Sequence, residues 1–118
     1  MPADSDLLIL RDKLREFAAE RDWDQFHSPK NLSMALMVEV AELMEHFQWL
    51  TETQSGELKT DDQQAVSEEL ADILLYLVRL SDKLGVDLHE AAQRKIEKNA
   101  AKYPADKVRG SAKKYSKY

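Results

Sequence analysis

The sequence predicts an all-α protomer, a four-helix-bundle-like unit that assembles through broad apolar helix faces. Three observations lead there. The 118 residues include only three glycines and three prolines, so few positions break a helix. Apolar residues recur at three- and four-residue spacing along the whole chain, which is the helical period. The two middle segments are apolar over more than half of their circumference, and four short helices cannot cover such faces on both sides. A homotetramer built as a dimer of dimers is the expected assembly.

The elements follow in order. A first helix is expected over residues 5–20, with Leu7, Leu10, Leu14 and Phe17 on one stripe and Asp4 or Ser5 as N-cap. Residues 21–28 form a connection rich in aromatic groups, with Trp23, Phe26 and His27. Ser28-Pro29 then reads as an N-cap followed by proline at the first helical position. The second helix is expected over 29–50, with the stripe Leu36, Val40, Leu43, Phe47 and Leu50; Glu39, Glu42, His46 and Trp49 share another face. Residues 51–60 are polar, contain Gly56, and read as a loop.

The third helix is expected over 61–84, stopped by Gly85. Its stripe is Val66, Leu70, Ile73, Leu77, Leu80 and Leu84, and Glu69, Asp72 and Tyr76 lie together on the adjacent face. Asp87, with Glu90 three residues on, resembles a capping box for a fourth helix that ends near Tyr103-Pro104. The chain therefore divides into a helical domain, 1–104, and a tail, 105–118, that is basic through Lys107, Arg109, Lys113, Lys114 and Lys117.

Composition narrows the function. A formal charge of −5 and a pI near 5.2 argue against a nucleic-acid coat, and no stable nucleic-acid partner is expected. Without cysteine, a disulfide framework, a zinc–thiolate site and a cysteine nucleophile are excluded. The start, MPADSD, lacks the pattern of a signal peptide, and no apolar run reaches membrane length. A cytoplasmic protein is expected.

The chemistry is expected in two acidic clusters, Glu39-Val40-Ala41-Glu42 and Glu69-Leu70-Ala71-Asp72. Positions three apart lie on one helix face, so each cluster presents two carboxylates side by side within an apolar segment. Carboxylates near apolar surface end up paired or on a metal. Four oxygen ligands without a regular histidine partner suit a hard cation, Mg2+, and hence phosphate chemistry. The plain alternative is a solvated helix face, since glutamate is a strong helix former; matching pairs on two helices weigh against it. A di-iron bundle needs Glu-x-x-His on two helices, which neither cluster supplies.

Trp23 and Trp49 are candidates to stack on a base. Phe26 and Phe47 are expected as core plugs at the bundle ends. His27 reads as a loop hydrogen-bonder and His46 as a neighbour of the acidic face.

The order of these motifs resembles the MazG-like all-α nucleotide pyrophosphohydrolases, and within them the short dCTP pyrophosphatase branch. The likeness rests on the stretch from Phe17 to His27 with Trp23 and Phe26, on Pro29-Lys30-Asn31-Leu32, on Glu39 with Glu42, and on Phe47-Gln48-Trp49. It continues through Glu68-Glu69 with Asp72 and Tyr76, Val86-Asp87-Leu88, Asn99 to Tyr103-Pro104, and Arg109-Gly110-Ser111. The resemblance implies cleavage of a nucleoside triphosphate between the α and β phosphates, giving the monophosphate and pyrophosphate. Carried over by position, Glu39, Glu42, Glu69 and Asp72 hold Mg2+ and Trp23 and Trp49 frame the base. Tyr76 contacts sugar or base, and Asn99, Lys102 and Arg109 help position the nucleotide, with sites shared between subunits. One departure stands out: Leu14 occupies a first-helix position where the related dCTP enzymes carry histidine. A broad-specificity pyrophosphohydrolase and a non-catalytic helical interaction module are the competing expectations.

Overall fold

In a computed structural model, residues 5–112 are described, and they are helical without strands. The helices are α1 (Asp6–Glu20), α2 (Pro29–Glu45), α3 (Glu52–Ser55), α4 (Thr60–Leu84), α5 (Leu88–Lys102) and α6 (Ala105–Val108), with a 3-10 turn at Asp24–Phe26. The chain divides into two compact units, Met1–Val86 and Asp87–Tyr118. The all-α class is as expected.

In the first unit, α2 packs along α4, and α1 packs against α4. Ala18, Leu32, Val66 and Val78 form its buried apolar centre. Much of the apolar surface of α2 and α4 stays outside this centre: Met37 is 65 % exposed, Met44 57 %, Leu70 52 % and Leu84 56 %.

Local sequence sets the joints. Ser28 accepts a hydrogen bond from the Asn31 backbone N–H at 3.1 Å, and Pro29 opens α2, as its missing N–H and fixed φ favour. The exit from α1 is a Schellman turn: Asp22 N–H donates to Ala19 O (3.2 Å) and Trp23 N–H to Ala18 O (2.9 Å). It places Asp22 at φ 55°, a left-handed conformation that aspartate tolerates better than most residues. The same motif ends α4, where Gly85 N–H donates to Asp82 O and Val86 N–H to Ser81 O, with Gly85 at φ 69°. A Cβ at Gly85 meets no atom within 4 Å, so the cost of Gly85→Ala is conformational alone. It is expected to be about 1–2 kcal/mol, read as a melting temperature several degrees lower, with activity per folded molecule unchanged.

Two boundaries differ from the sequence reading. The second helix stops at Glu45 rather than running to Leu50. Beyond it the bonds tighten to i→i−3, with His46 N–H on Leu43 O (3.2 Å) and Leu50 N–H on Phe47 O (2.9 Å). Thr51 is unavailable to continue the helix, because a capping box holds it: its N–H donates to Gln54 Oε1 (3.0 Å), and its Oγ1 accepts from Gln54 N–H (3.1 Å). That box starts α3, so the segment 51–60 is not wholly loop.

The second unit contains α5, capped by Asp87, whose side chain accepts from Glu90 N–H at 3.0 Å. It also contains α6, a turn of helix within the expected tail. Lys113, Lys114 and Lys117 of the tail lie outside the described residues.

Candidate active site

Glu39 projects from α2, and Glu69 and Asp72 project one turn apart from α4. Because α2 runs along α4, one carboxylate oxygen from each of the three falls within 4.8 Å of the others. Glu39 Oε2 and Glu69 Oε2 are buried and have no hydrogen-bond partner among the described residues. Buried polar atoms are nearly always satisfied, so these two carboxylate oxygens call for a neutralising partner, a proton or a cation.

Electrostatics agree with the geometry. Burial, the neighbouring Glu69 side chain and the charges of Glu42 and Asp72 push Glu39 up to about 7. Burial, reinforced by Glu42, pushes Glu69 up as well. Like charges held this close destabilise each other until a proton or a metal neutralises them. Glu42 is exposed and outside the close group of three, although near enough to repel both glutamates. His46 Nε2 stands 4.0 Å from Glu69 Oε1, as a polar neighbour of the cluster.

Beside the carboxylates lies a cavity of about 430 Å³, within the size range of small-molecule sites. Glu39 and Asp72 contribute to its wall together with Leu14, Trp23, Tyr76 and Arg79. Trp23 is set there by the Schellman turn and meets Phe17 edge-on, with ring centroids 5.7 Å apart at 68°. The Arg21 guanidinium covers the other ring, 3.7 Å from the Phe17 centroid.

The structure thus brings Glu39, Glu69, Asp72, Trp23 and Tyr76 to one place. Trp49 does not share a helix face with Glu39 and Glu42, because α2 has ended before it; its side chain is 87 % exposed and off the cavity wall. Phe26, expected as a core plug, is 60 % exposed, since it belongs to the short 3-10 turn rather than to a bundle end. Asn99 and Lys102 lie in the last turn of α5, and Arg109 follows α6; all three belong to the second unit.

Sequence reasoning missed the charged network at the other end of the cavity. Arg79 is buried, pairs with Asp24, and donates from Nε to His27 Nδ1 at 3.1 Å. Asp24 also accepts from Lys83 Nζ (2.6 Å), and Lys83 with Arg79 holds its carboxyl below the usual range. Asp82, 3.6 Å from Arg79, accepts a two-pronged bond from Arg15 at 2.6 and 2.7 Å, which lowers its pKa and ties α1 to α4. The signal was legible: a lone arginine inside the apolar run Leu77-Val78-Arg79-Leu80 must find partners. His27 is a loop hydrogen-bonder, as read.

The model of the MazG-like family matches residues 34–117, and this chain belongs to the MazG-like family. Over 103 residues it is 48 % identical to dCTP pyrophosphatase 1 of Mus musculus, and equally to that of Homo sapiens. The match covers 86 % of this chain and 61 % of theirs, so the chain spans about three fifths of the length of these relatives. A crystal structure of a pyrophosphatase from Archaeoglobus fulgidus superposes with a TM-score of 0.79 at 42 % identity, covering 85 % of this chain and 94 % of that one.

Proposed function

We propose that this chain is a Mg2+-dependent nucleoside triphosphate pyrophosphohydrolase that converts dCTP and related pyrimidine deoxynucleotides to the monophosphate and pyrophosphate, and so cleans the nucleotide pool. The observation that carries this reading is the pair of unpartnered buried oxygens of Glu39 and Glu69 beside Asp72, at the edge of a cavity walled by Trp23 and Tyr76. The dCTP preference draws on the relatives named dCTP pyrophosphatase 1.

Glu39, Glu69 and Asp72, with Glu42 turned in, would hold the metal; an all-oxygen donor set fits Mg2+. When bound, the ion would supply charge neutralisation at the phosphates and a lower pKa for water. A carboxylate oxygen not spent on the ion takes the proton of the water that attacks the α-phosphorus, as pyrophosphate leaves. Trp23 and Tyr76 hold base and sugar. The exposed apolar faces of α2 and α4 support a homotetramer, a dimer of dimers. In that assembly exposed Trp49 would frame the base of a nucleotide held by a neighbouring subunit, and Asn99, Lys102 and Arg109 would help position the nucleotide. No described helix is long and apolar enough to cross a membrane, and a cytoplasmic site of action suits a nucleotide substrate.

A panel of triphosphates assayed for pyrophosphate release tests the reading. Release from dCTP that depends on Mg2+ supports it; no release from any nucleotide refutes it.

The raised Glu39 also predicts how Mg2+ stabilises the fold. The folded state binds this proton more tightly than the unfolded state, so the associated stability is present below pH 4.5 and lost as pH rises to about 7. The lowered His27 acts in the opposite sense, losing stability as pH falls below 6.5, but it stands apart from the carboxylates and cancels when the same pH is compared with and without metal. The rise in melting temperature on adding Mg2+ is therefore expected to be several degrees larger at pH 8 than at pH 5.5. Equal rises would contradict the assignment of Glu39 to the metal.

A further inference from the structure

Arg79 joins α4 to the connection between α1 and α2, and the join depends on one proton. The turn Asp24–Phe26 is three residues of 3-10 helix, too short and too poorly bonded to hold its shape alone. Its own bonds are Phe26 N–H to Trp23 O (2.9 Å) and His27 N–H to Asp24 O (3.1 Å). One end is fastened to α1 by the Schellman turn, the other to α2 by Asn31, whose side-chain amide donates to Phe26 O at 3.0 Å. Across to α4, Asp24 pairs with Arg79 and Lys83, and His27 bonds to Arg79.

These ties differ in kind. The Asp24 side chain is 60 % exposed, and an ion pair so open to water contributes little. The His27 tie lies inside: Arg79 is buried, and its Nε–H donates to His27 Nδ1 at 3.1 Å. A guanidinium only donates, so Nδ1 can receive it only while it carries a lone pair. A protonated ring sets Nδ1–H against Nε–H and brings two cations together where burial has stripped their hydration.

The surroundings cannot absorb that charge. Arg79 and Lys83 of α4 and Arg15 of α1 already outnumber the carboxylates they share, Asp24 and Asp82. Both carboxylates are held below their usual pKa, so they are ionised throughout and have no further charge to offer. Glu39 of α2 and Asp72 of α4 line the same cavity but are grouped with Glu69, and Asp72 lies two helical turns, about 10 Å, from Arg79.

We propose that Arg79 and His27 form a proton-operated latch, which seats the 3-10 turn on α4 while the ring is neutral and releases it when Nδ1 takes a proton. Trp23 and His27, on either side of the turn, line the cavity together with Arg79, so release reshapes that wall whatever the cavity holds. Burial and the charge of Arg79 hold the seated ring below its ordinary pKa of 6.5. The released ring regains the ordinary value. The latch is therefore at full strength above pH 6.5 and weakens about tenfold for each pH unit below it, until the lowered pKa of the seated ring is passed.

Amide hydrogen exchange, followed by NMR on the nucleotide-free protein, reads the latch directly. Protection factors correct for the pH dependence of exchange itself. Those of the Phe26 and His27 amides are expected to stay constant from pH 8 down to 6.5 and then to fall about tenfold per unit, while α4 amides around Val78 keep theirs. A flat profile in the turn, or a fall shared by Val78, would overturn the proposal. His27→Asn puts an amide oxygen close to the place of Nδ1, which accepts from Arg79 at every pH; the turn is expected to stay protected and the fall to vanish. A fall that survives in His27→Asn refutes the latch.

Arg79→Met removes the donor, so the turn is expected to be weakly protected at every pH and the His27 ring to titrate higher than in the wild type. An unmoved titration counts against the proposal. Should that variant not fold, the wild-type ring still decides, because a ring that titrates at 6.5 or above is not held by Arg79. Glu39 also titrates in this range, at about 7, so the profile is repeated in Glu39→Gln. The same fall there supports the latch; its loss assigns the effect to the carboxylate and refutes it. None of these readouts requires hydrolysis, so the latch and the hydrolase reading stand or fall separately.

Discussion

Glu39→Gln and Asp72→Asn are each expected to lower pyrophosphate release by at least about a hundredfold while leaving the helical content unchanged. Metal stabilisation of phosphoryl charge contributes several kcal/mol to a transition state, and each 1.36 kcal/mol lost is a factor of ten in rate. The amides keep the size of the carboxylates and lose the charge. The fold should survive and even gain, because Glu39 is raised to about 7 by burial first and by its acidic neighbours second, and an amide carries neither the cost of a buried charge nor that repulsion. At pH 8 without metal, Glu39→Gln is therefore expected to melt above the wild type, whereas the metal-dependent rise in melting temperature shrinks. This pairing separates a damaged site from a damaged fold: a variant that loses activity by unfolding melts lower. Retention of most of the activity in either variant would remove that residue from the site.

Trp23→Ala should raise KM for dCTP about ten- to a hundredfold and spare kcat. Stacking acts on the base, several bonds from the α-phosphorus, and so stabilises bound substrate and transition state alike. Losing such uniform binding appears in KM. Base–aromatic stacking contributes about 1–3 kcal/mol, which sets the range. Trp23 also packs edge-on against Phe17, so a modest fall in melting temperature accompanies the kinetic effect. Trp49→Ala separates the contributions more cleanly. At 87 % exposure Trp49 cannot act as a core plug of the protomer, so its removal should leave protomer stability nearly alone. A rise in KM for this variant, with unaltered helix content, supports a contribution across subunits; an unchanged KM places Trp49 outside the site. Measuring the oligomeric state of each variant by light scattering shows whether assembly is intact.

Much of this protein is written in local chemistry that needs no partner in space. The sparse glycine and proline, the three- and four-residue apolar spacing, Ser28-Pro29 at the start of α2 and Gly85 at the end of α4 determine a helical chain with its principal breaks. The three-residue spacing of Glu39 with Glu42 and of Glu69 with Asp72 places each pair on one helix face, because that follows from 3.6 residues per turn. Tertiary structure decided which of them meet: packing of α2 on α4 joins Glu39 to Glu69 and Asp72 and leaves Glu42 outside the close group. It also separated Trp49 from the carboxylate face, since a capping box at Thr51 competes with helix continuation, and periodicity alone extends a helix as long as apolar residues recur. The network of Arg79, Asp24, His27, Asp82 and Arg15 spans more than fifty positions of sequence, from Arg79 back to Asp24 and from Asp82 back to Arg15. No spacing rule reaches that far. An isolated charge in an apolar run announces that partners exist, but only the folded chain, by bringing α1 and the 3-10 turn against α4, decides which side chains they are.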